Sequence, residues 1–437
     1  MTILRKTVTI AGSNWLTVLI SLLTGINIIR YLGAVGRGEI VLFVSWCAII
    51  AFLLNFGLPA SAAFHNAARK YSVKTILTSY LALTPLLFLI LYLAFKILYG
   101  TYSDHLNFGL STDDSLLLIL VCVPSIWFQN ISQSLLLTSG CANVVAALNV
   151  SRALATALST AVLLEYYLAD PQEIIFLIVL IEFCFGLTAG AIALNKSGPL
   201  DYPRIFDCQL SLLRYGIKSY PSAALPNTQS HYSNILVGNV LGLESAAFFA
   251  LAGSFYGVAT SIVKPISSLL LGEVGNPQYP DPVVRIRKVS TTVVYWSLLA
   301  LPVLHGAGWI LIPTIYGPDF TVVLPVLFVL LMAAAIVNGQ AILQVKFLID
   351  GKPEIQSYLC LGGSAFLIIS LPEVIPYFGM VGAAYAILIT RITLYAATII
   401  IIAKEANTKW RKFVSPVSFY LETEAIIKTR ILTKRER

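Results

Sequence analysis

The sequence predicts an all-α polytopic membrane protein with about twelve transmembrane helices in two pseudo-symmetric six-helix lobes. Three observations carry this. The 437 residues are 57% hydrophobic and only 11% charged, with a mean hydropathy of +0.82, whereas soluble domains carry about 25% charged residues. A hydrocarbon core needs roughly 20 apolar residues per helical crossing, and the chain supplies twelve such stretches. The third observation is a repeat near residue spacings of 209 and 211, developed below. Six cysteines in this length exclude a disulfide scaffold, and they read as small apolar packing residues.

The first candidate span, Val8–Leu32, is too long and too polar (Ser13, Asn14, Thr17, Ser21) for a cleaved leader and is read as retained. Spans at Ile40–Phe64, Ile76–Tyr99, Ser115–Ser139, Val144–Leu168 and Glu173–Asn195 complete the first half. The seventh, Gln209–Leu241, is the longest, and Pro221 and Pro226 must bend it. Ser245–Leu271 follows, with Pro265 beside Lys264, and then Val289–Ile315, Thr321–Ile349, Ile355–Leu371 and Met380–Ala403. The chain divides into an N-lobe at 1–208, a C-lobe at 209–403 and a basic tail at 404–437. The tail's apolar residues (Phe419, Tyr420, Ile426, Ile427, Ile431) among lysines and arginines allow either a weakly amphipathic helix on anionic membrane lipid or a solvated tail.

Charge orients the spans. With the N-terminus in the cytoplasm, inner segments hold Arg5, Lys6, Arg69, Lys70, Lys74, Lys196, Arg204, Arg285, Arg287, Lys288 and Lys352, and the tail adds nine more cations. Outer loops hold only Arg30, Arg37 and Lys96, against acids that include Asp104, Asp113, Asp114, Asp170 and Glu373. This follows the positive-inside rule with both termini cytoplasmic.

The repeat is visible in two places. Gln129, Gln133, Leu137 and Gly140 recur as Gln340, Gln344, Leu348 and Gly351, and Leu32-Gly33 recurs as Leu241-Gly242. Six spans per repeat give both halves one topology, related by an axis along the membrane normal, an arrangement typical of transporters.

No phosphate-cradling GxxxxGK[ST] motif, metal-ligand spacing or catalytic set on a large outer loop is present, so no cofactor, metal, catalytic residue or nucleic-acid partner is expected. Energy is expected from an ion gradient, the membrane potential or the substrate's own gradient. Ionisable groups at membrane depth are costly and point to function. The cationic set is Arg152, Arg214, Lys218, Lys264, Lys346 and Arg391, and Glu182 is the clearly intramembrane acid. This net positive balance suits an anionic headgroup. Arg214, Lys218 and Lys346 can equally snorkel to the inner interface. Glu182 and Arg391 occupy equivalent repeat positions, and either a cross-lobe pair or separate local partners would satisfy them. Glu182 and the mid-helix His231 are the candidates for ion coupling.

Several segments resemble a known group. RYLGAVGRGEIVLF (Arg30–Phe43), NFGLPASAAF (Asn55–Phe64), IYGPDFTVVLPVLFVL (Ile315–Leu330) and the Gly351 turn are similar, in order and spacing, to polysaccharide and O-antigen (Wzx-like) flippases of the multidrug/oligosaccharidyl-lipid/polysaccharide (MOP) exporter superfamily. The resemblance implies two lobes around a central cavity that opens alternately to each side. It implies a lipid-linked oligosaccharide substrate, typically on undecaprenyl diphosphate, H+ or Na+ coupling, polysaccharide-assembly partners and a prokaryotic inner membrane. Arg30 matches the motif position and is carried over as a cavity-side residue. Where many relatives place an acid before Gly238, this chain has Ser233 and Asn234. The alternatives are an ion-coupled multidrug exporter of the same superfamily, which should line its cavity with acids, and a polysaccharide polymerase or acyltransferase, which needs large outer loops.

Overall fold

A computed structural model describes residues 3–68, 70–102, 112–167, 170–195, 204–261, 263–274, 281–407 and 410–413. Segments 103–111 and 196–203, Arg69 and the tail beyond Phe413 lie outside the described residues.

Within the described residues the chain is a succession of helices joined by short turns. The first continuous helix, Ile3–Leu54, is interrupted at Gly33 (φ 68°, ψ −174°), dividing it into α1 (3–32) and α2 (34–54), which Leu58–Ala67 continues. Then come α3 (Val73–Tyr102), α4 (Thr112–Thr138), α5 (Ala142–Tyr167), α6 (Pro171–Asn195) and α7 (Ile205–Leu241). Helix α8 (Leu243–Ser261) and a separate helical stretch Val263–Val274 come next, followed by α9 (Pro282–Tyr316) and α10 (Val323–Ile349). The last long helix, Pro353–Glu405, breaks at Gly379 (φ 60°, ψ −151°) into α11 (353–378) and α12 (380–405). Both breaks need left-handed backbone, which costs a residue bearing a Cβ roughly 1–2 kcal/mol.

Eight stretches of these helices are long and apolar enough to cross a membrane, and two of them, Gly12–Leu54 and Glu354–Glu405, are about twice the length one crossing requires. Large apolar side chains face outward at mid-helix, among them Val303 (73% exposed) and Ile310 (70%) on α9 and Ile369 (71%) on α11. In water such surfaces would associate; in lipid they are solvated. The sequence pattern ends the eleventh span at Leu371, but α11 runs on through Pro372, Glu373 and Pro376 to Gly379. The positive φ at Gly379, and not the pair of prolines, marks the end of this helix. Helix α7 is too polar to pass as a crossing by hydropathy alone, and its polar side chains find partners on α2, as described below.

The repeat has a backbone counterpart. Gly33 and Gly242 both have positive φ at the α1/α2 and α7/α8 junctions, and Gly140 and Gly351 do so after α4 and α10. The second glutamine of each pair bonds an amide of the following helix: Gln133 Nε2 donates to Asn149 Oδ1 at 3.0 Å, and Gln344 Oε1 accepts from Gln356 Nε2 at 3.2 Å.

The chain groups into two compact units. One contains Met1–Leu251 with Ile368–Ala383, and the other Ala252–Leu367 with Ala384–Arg437. In the first unit, the continuous helix Ile3–Leu54 packs on α5, α4 on α6, and the second stretch of α2 on α4 and α7. Its core is built from Phe43, Leu58, Tyr80, Trp127 and Ile131, all essentially inaccessible. The break in α2 frees carbonyls of its last turn. Trp127 Nε1 donates to Ala51 O at 2.8 Å, and the Tyr220 hydroxyl donates to Leu53 O at 2.8 Å. In the second unit, α10 packs on α9, and Phe347, Ile342, Leu343 and Phe413 form the core. There Ser290 Oγ donates to Gly339 O at 2.8 Å and Asn338 Nδ2 donates to Ala259 O at 3.1 Å.

At the α2 break, backbone meets backbone. A Cβ on Gly57 (φ 69°) would lie 2.3 Å from Gly216 O. Gly57→Ala therefore combines a left-handed strain with a clash against α7 that no rotamer relieves. It is expected to cost about 2–4 kcal/mol, read as a lowered thermal unfolding midpoint in detergent.

Candidate functional site

In the first unit a cavity of about 210 Å³ lies where α2 breaks, lined by Asn55, Asn130, Gln133 and Ser134 together with Phe52, Leu137 and Ala224. Four hydrogen-bonding side chains line it and no carboxylate does. Asn55 Oδ1 is buried and without a hydrogen-bond partner, an acceptor still to be met. Further along α7, His231 Nδ1 lies 3.4 Å from Ser45 Oγ of α2, and Asn234 Nδ2 donates to the same oxygen at 3.3 Å. The His231 ring stacks on Phe52, with centroids 6.5 Å apart. Amides and hydroxyls beside aromatic faces both donate and accept, so this lining matches a polyhydroxylated ligand in chemistry. Of these residues, the sequence alone singles out Gln133 and His231. Asn55, Asn130 and Ser45 carry a legible signal that the sequence reading leaves unused, since each is a polar residue inside an apolar stretch.

The charged residues fall into three groups. Arg152 of α5 pairs with Glu182 of α6, with side chains 30% and 16% exposed. Arg152 Nε and Glu182 Oε2 are otherwise buried without partners. Glu182 is thus partnered locally, one of the two arrangements left open by the sequence. Lys346 pairs with Asp350 one turn on, so its charge is met before the Gly351 turn. Arg391 differs from both. It sits in the middle of α12, half-buried, with Nε buried and unbonded, and it makes no ion pair among the described residues.

The remaining candidates do not converge. Arg214 and Lys218 on α7 and Arg30 near the end of α1 are exposed. Lys264 lies in the helical stretch Val263–Val274, but its side chain is outside the described residues. At the end of α2, His65 Nε2 approaches Ser211 O at 3.4 Å, Tyr71 shares a hydrogen bond with Ser211 Oγ at 3.1 Å, and Asn66 Nδ2 donates to Thr138 Oγ1 at 2.6 Å. These contacts tie α2 to α7 and α4 at that end. In the turn after α10, Lys352 donates to Glu405 Oε1 at 2.7 Å, and that bond holds the lysine above its usual pKa.

Neither a protein-family profile nor a curated protein sequence matches the chain. Solved structures do. The chain superposes on the lipid II flippase MurJ in an inward closed conformation with a TM-score of 0.63 at 12% identity, covering 96% of this chain and 93% of that one. It superposes on the MATE multidrug transporter DinF-BH at 0.65 and 15%, covering 94% and 96%. For a MOP superfamily transporter from Pyrococcus furiosus, described as having reversed polarity of its binding pocket, the values are 0.57 and 14%, covering 91% and 95%. The chain has the MOP exporter fold. It is an all-α polytopic membrane protein, and the MOP likeness extends over nearly its full length. These neighbours include both a flippase and drug transporters.

The ion pairs make one prediction here. Because Asp350 already neutralises Lys346, the double variant Lys346→Met/Asp350→Leu, which strands neither charge, is expected to change transport less than about twofold, measured in the liposome assay described below.

Proposed function

We propose that this chain is a flippase that moves a lipid-linked oligosaccharide, of the undecaprenyl-diphosphate type, from the inner to the outer leaflet by alternating access. The reading places it in the Wzx-like branch, in polysaccharide biosynthesis or export, and in a prokaryotic inner membrane with both termini cytoplasmic. In this reading residues 1–208 and 209–403 act as the two lobes, polysaccharide-assembly proteins are its partners, and no enzymatic step is involved. Glu182 and His231 are the groups assigned to H+ or Na+ coupling, the carboxylate by exchanging Arg152 for the transported cation.

Supporting it, in each unit taken by itself, is the sign of the charge left unpaired at membrane depth. The one acid assigned to mid-membrane, Glu182, is neutralised by Arg152, the amide-lined cavity carries no carboxylate, and Arg391 remains as a guanidinium without an anion among the described residues. A cationic drug would find no unpaired carboxylate at these positions. A diphosphate can engage a guanidinium through two parallel hydrogen bonds, and amides suit the hydroxyls of a glycan.

The test is purified protein in liposomes carrying a fluorescent undecaprenyl-diphosphate glycan, with leaflet exchange followed against protein-free vesicles. Exchange above the control supports the reading. No exchange, together with pH-driven efflux of a cationic dye that Glu182→Gln abolishes, would assign the chain to drug export.

A further inference from the structure

The second unit contains a cavity of about 540 Å³, within the range of roughly 300–1,000 Å³ typical of small-molecule sites. Its lining is almost wholly apolar. From α9 it takes Thr291, Val294, Tyr295 and Leu298, a spacing of i, i+3, i+4 and i+7 that forms one helix face. From α12 it takes Ile392, Tyr395, Ala396 and Ile399 at the same spacing. Two facing stripes of this kind make a slot parallel to the helix axes, and the α9 stripe alone is about 10 Å long at 1.5 Å per residue.

One end of this slot is built differently. Trp410 and Phe413, from the short 3-10 turn Trp410–Phe413, complete the lining there. Phe413 is fixed from two sides: Thr291 Oγ1 donates to its carbonyl at 2.9 Å, and the Arg287 guanidinium lies 5.8 Å from its ring centroid. Arg287 Nε is buried with no hydrogen-bond partner. Lys288 is the next residue, so the same end carries two adjacent cations. Trp410, 56% exposed at the rim, is the residue type that marks the boundary between hydrocarbon and headgroups. An apolar slot running along the membrane-crossing helices, capped by an interfacial tryptophan and an incompletely bonded guanidinium, has the polarity profile of one lipid: chain inside, phosphate at the end.

We propose that this slot is a binding site for an anionic glycerophospholipid, with an acyl chain between α9 and α12 and the phosphate on Arg287 and Lys288. Charge complementarity selects an anionic headgroup over a zwitterionic one, because a choline group would bring its own cation to the two already present. The site rests on the membrane-spanning fold and not on the identity of the transported molecule, so it stands or falls apart from the proposed flippase activity.

The test uses the full chain in liposomes containing phosphatidylglycerol or phosphatidylcholine with a photoactivatable diazirine on one acyl chain, with adducts mapped by mass spectrometry. Adducts are expected on 291–298 and 392–400, with phosphatidylglycerol exceeding phosphatidylcholine about tenfold, a difference of ~1.4 kcal/mol set by the choline cation beside Arg287 and Lys288. Arg287→Gln is expected to reduce phosphatidylglycerol labelling to the phosphatidylcholine level. Ala396→Trp, which fills the slot, should abolish labelling by both, and Leu298→Trp is the second filling variant should the first fail to fold. Equal labelling by the two lipids, or labelling unchanged when the slot is filled, would overturn the proposal in favour of ordinary annular lipid. No labelling from either lipid would also overturn it and give the slot to another occupant, the chain's own segment 414–437 included.

Discussion

Arg391→Ala is expected to cut leaflet exchange of the undecaprenyl-diphosphate glycan by about tenfold or more in proteoliposomes, with the unfolding midpoint held or raised. The magnitude follows from losing a charge-assisted contact, worth roughly 1.5–3 kcal/mol. The midpoint should not fall because Arg391 has no ion pair to lose among the described residues, and removing an uncompensated charge from mid-span relieves desolvation. Arg391→Lys should recover part of the activity, since an ammonium restores the charge but not the two-pronged geometry. Exchange unaffected by either variant would show that the headgroup is read elsewhere, and Lys264 would be the next residue to replace.

Opposite behaviour is expected at the Arg152–Glu182 pair. Removing one partner of a fully buried pair costs about 3–5 kcal/mol because the other charge is stranded. With side chains 30% and 16% exposed, roughly half of that, about 2 kcal/mol, is expected for Glu182→Ala, seen as a lower unfolding midpoint. The double variant Arg152→Met/Glu182→Leu should recover most of the loss, since neither charge is then left alone. A double variant as unstable as the single one would mean that the two residues are held by packing and not by their charges. Separating stability from coupling is then direct: if Glu182 also carries the coupling ion, the double variant folds well and yet loses dependence on the pH or sodium gradient.

Much of the architecture was legible because the bilayer imposes length and polarity together. Ten of the twelve predicted spans fall on helices apolar enough to cross a membrane, all but α7 and α8, and the repeat glycines 33, 242, 140 and 351 all mark positive-φ turns. Where helices interrupt themselves was only partly legible. The break in α2 is marked locally by Asn55, Gly57 and Pro59 inside an otherwise apolar run, a signal that the span Ile40–Phe64 passes over; what the local pattern does not show is that Gly57 meets Gly216 on a distant helix. The end of α11 was misplaced for the converse reason, since Pro372 and Pro376 are strong local stops and yet the helix continues through both to Gly379. The sequence contains three GxxxG pairs, a pattern of close helix packing in membranes; Gly186/Gly190 and Gly238/Gly242 include close-packed positions, against Ser125, Phe128 and Leu42, whereas Gly253 and Gly257 face open space. At the site, residue type predicted charge at depth but not which charges cancel. Sequence spacing made Glu182 and Arg391 equivalent, and only the fold reveals that Glu182 has Arg152 beside it while Arg391 has no anion among the described residues.

The central claim is that the interior reads an anionic diphosphate, and the direct measurement is binding to purified protein of one glycan on two carriers. One carrier is undecaprenyl diphosphate; the other is undecaprenol, joined without phosphate. The account predicts at least about tenfold tighter binding of the diphosphate form, with that preference lost in Arg391→Ala. Equal affinity for the two carriers, with a cationic dye displacing both, would contradict it.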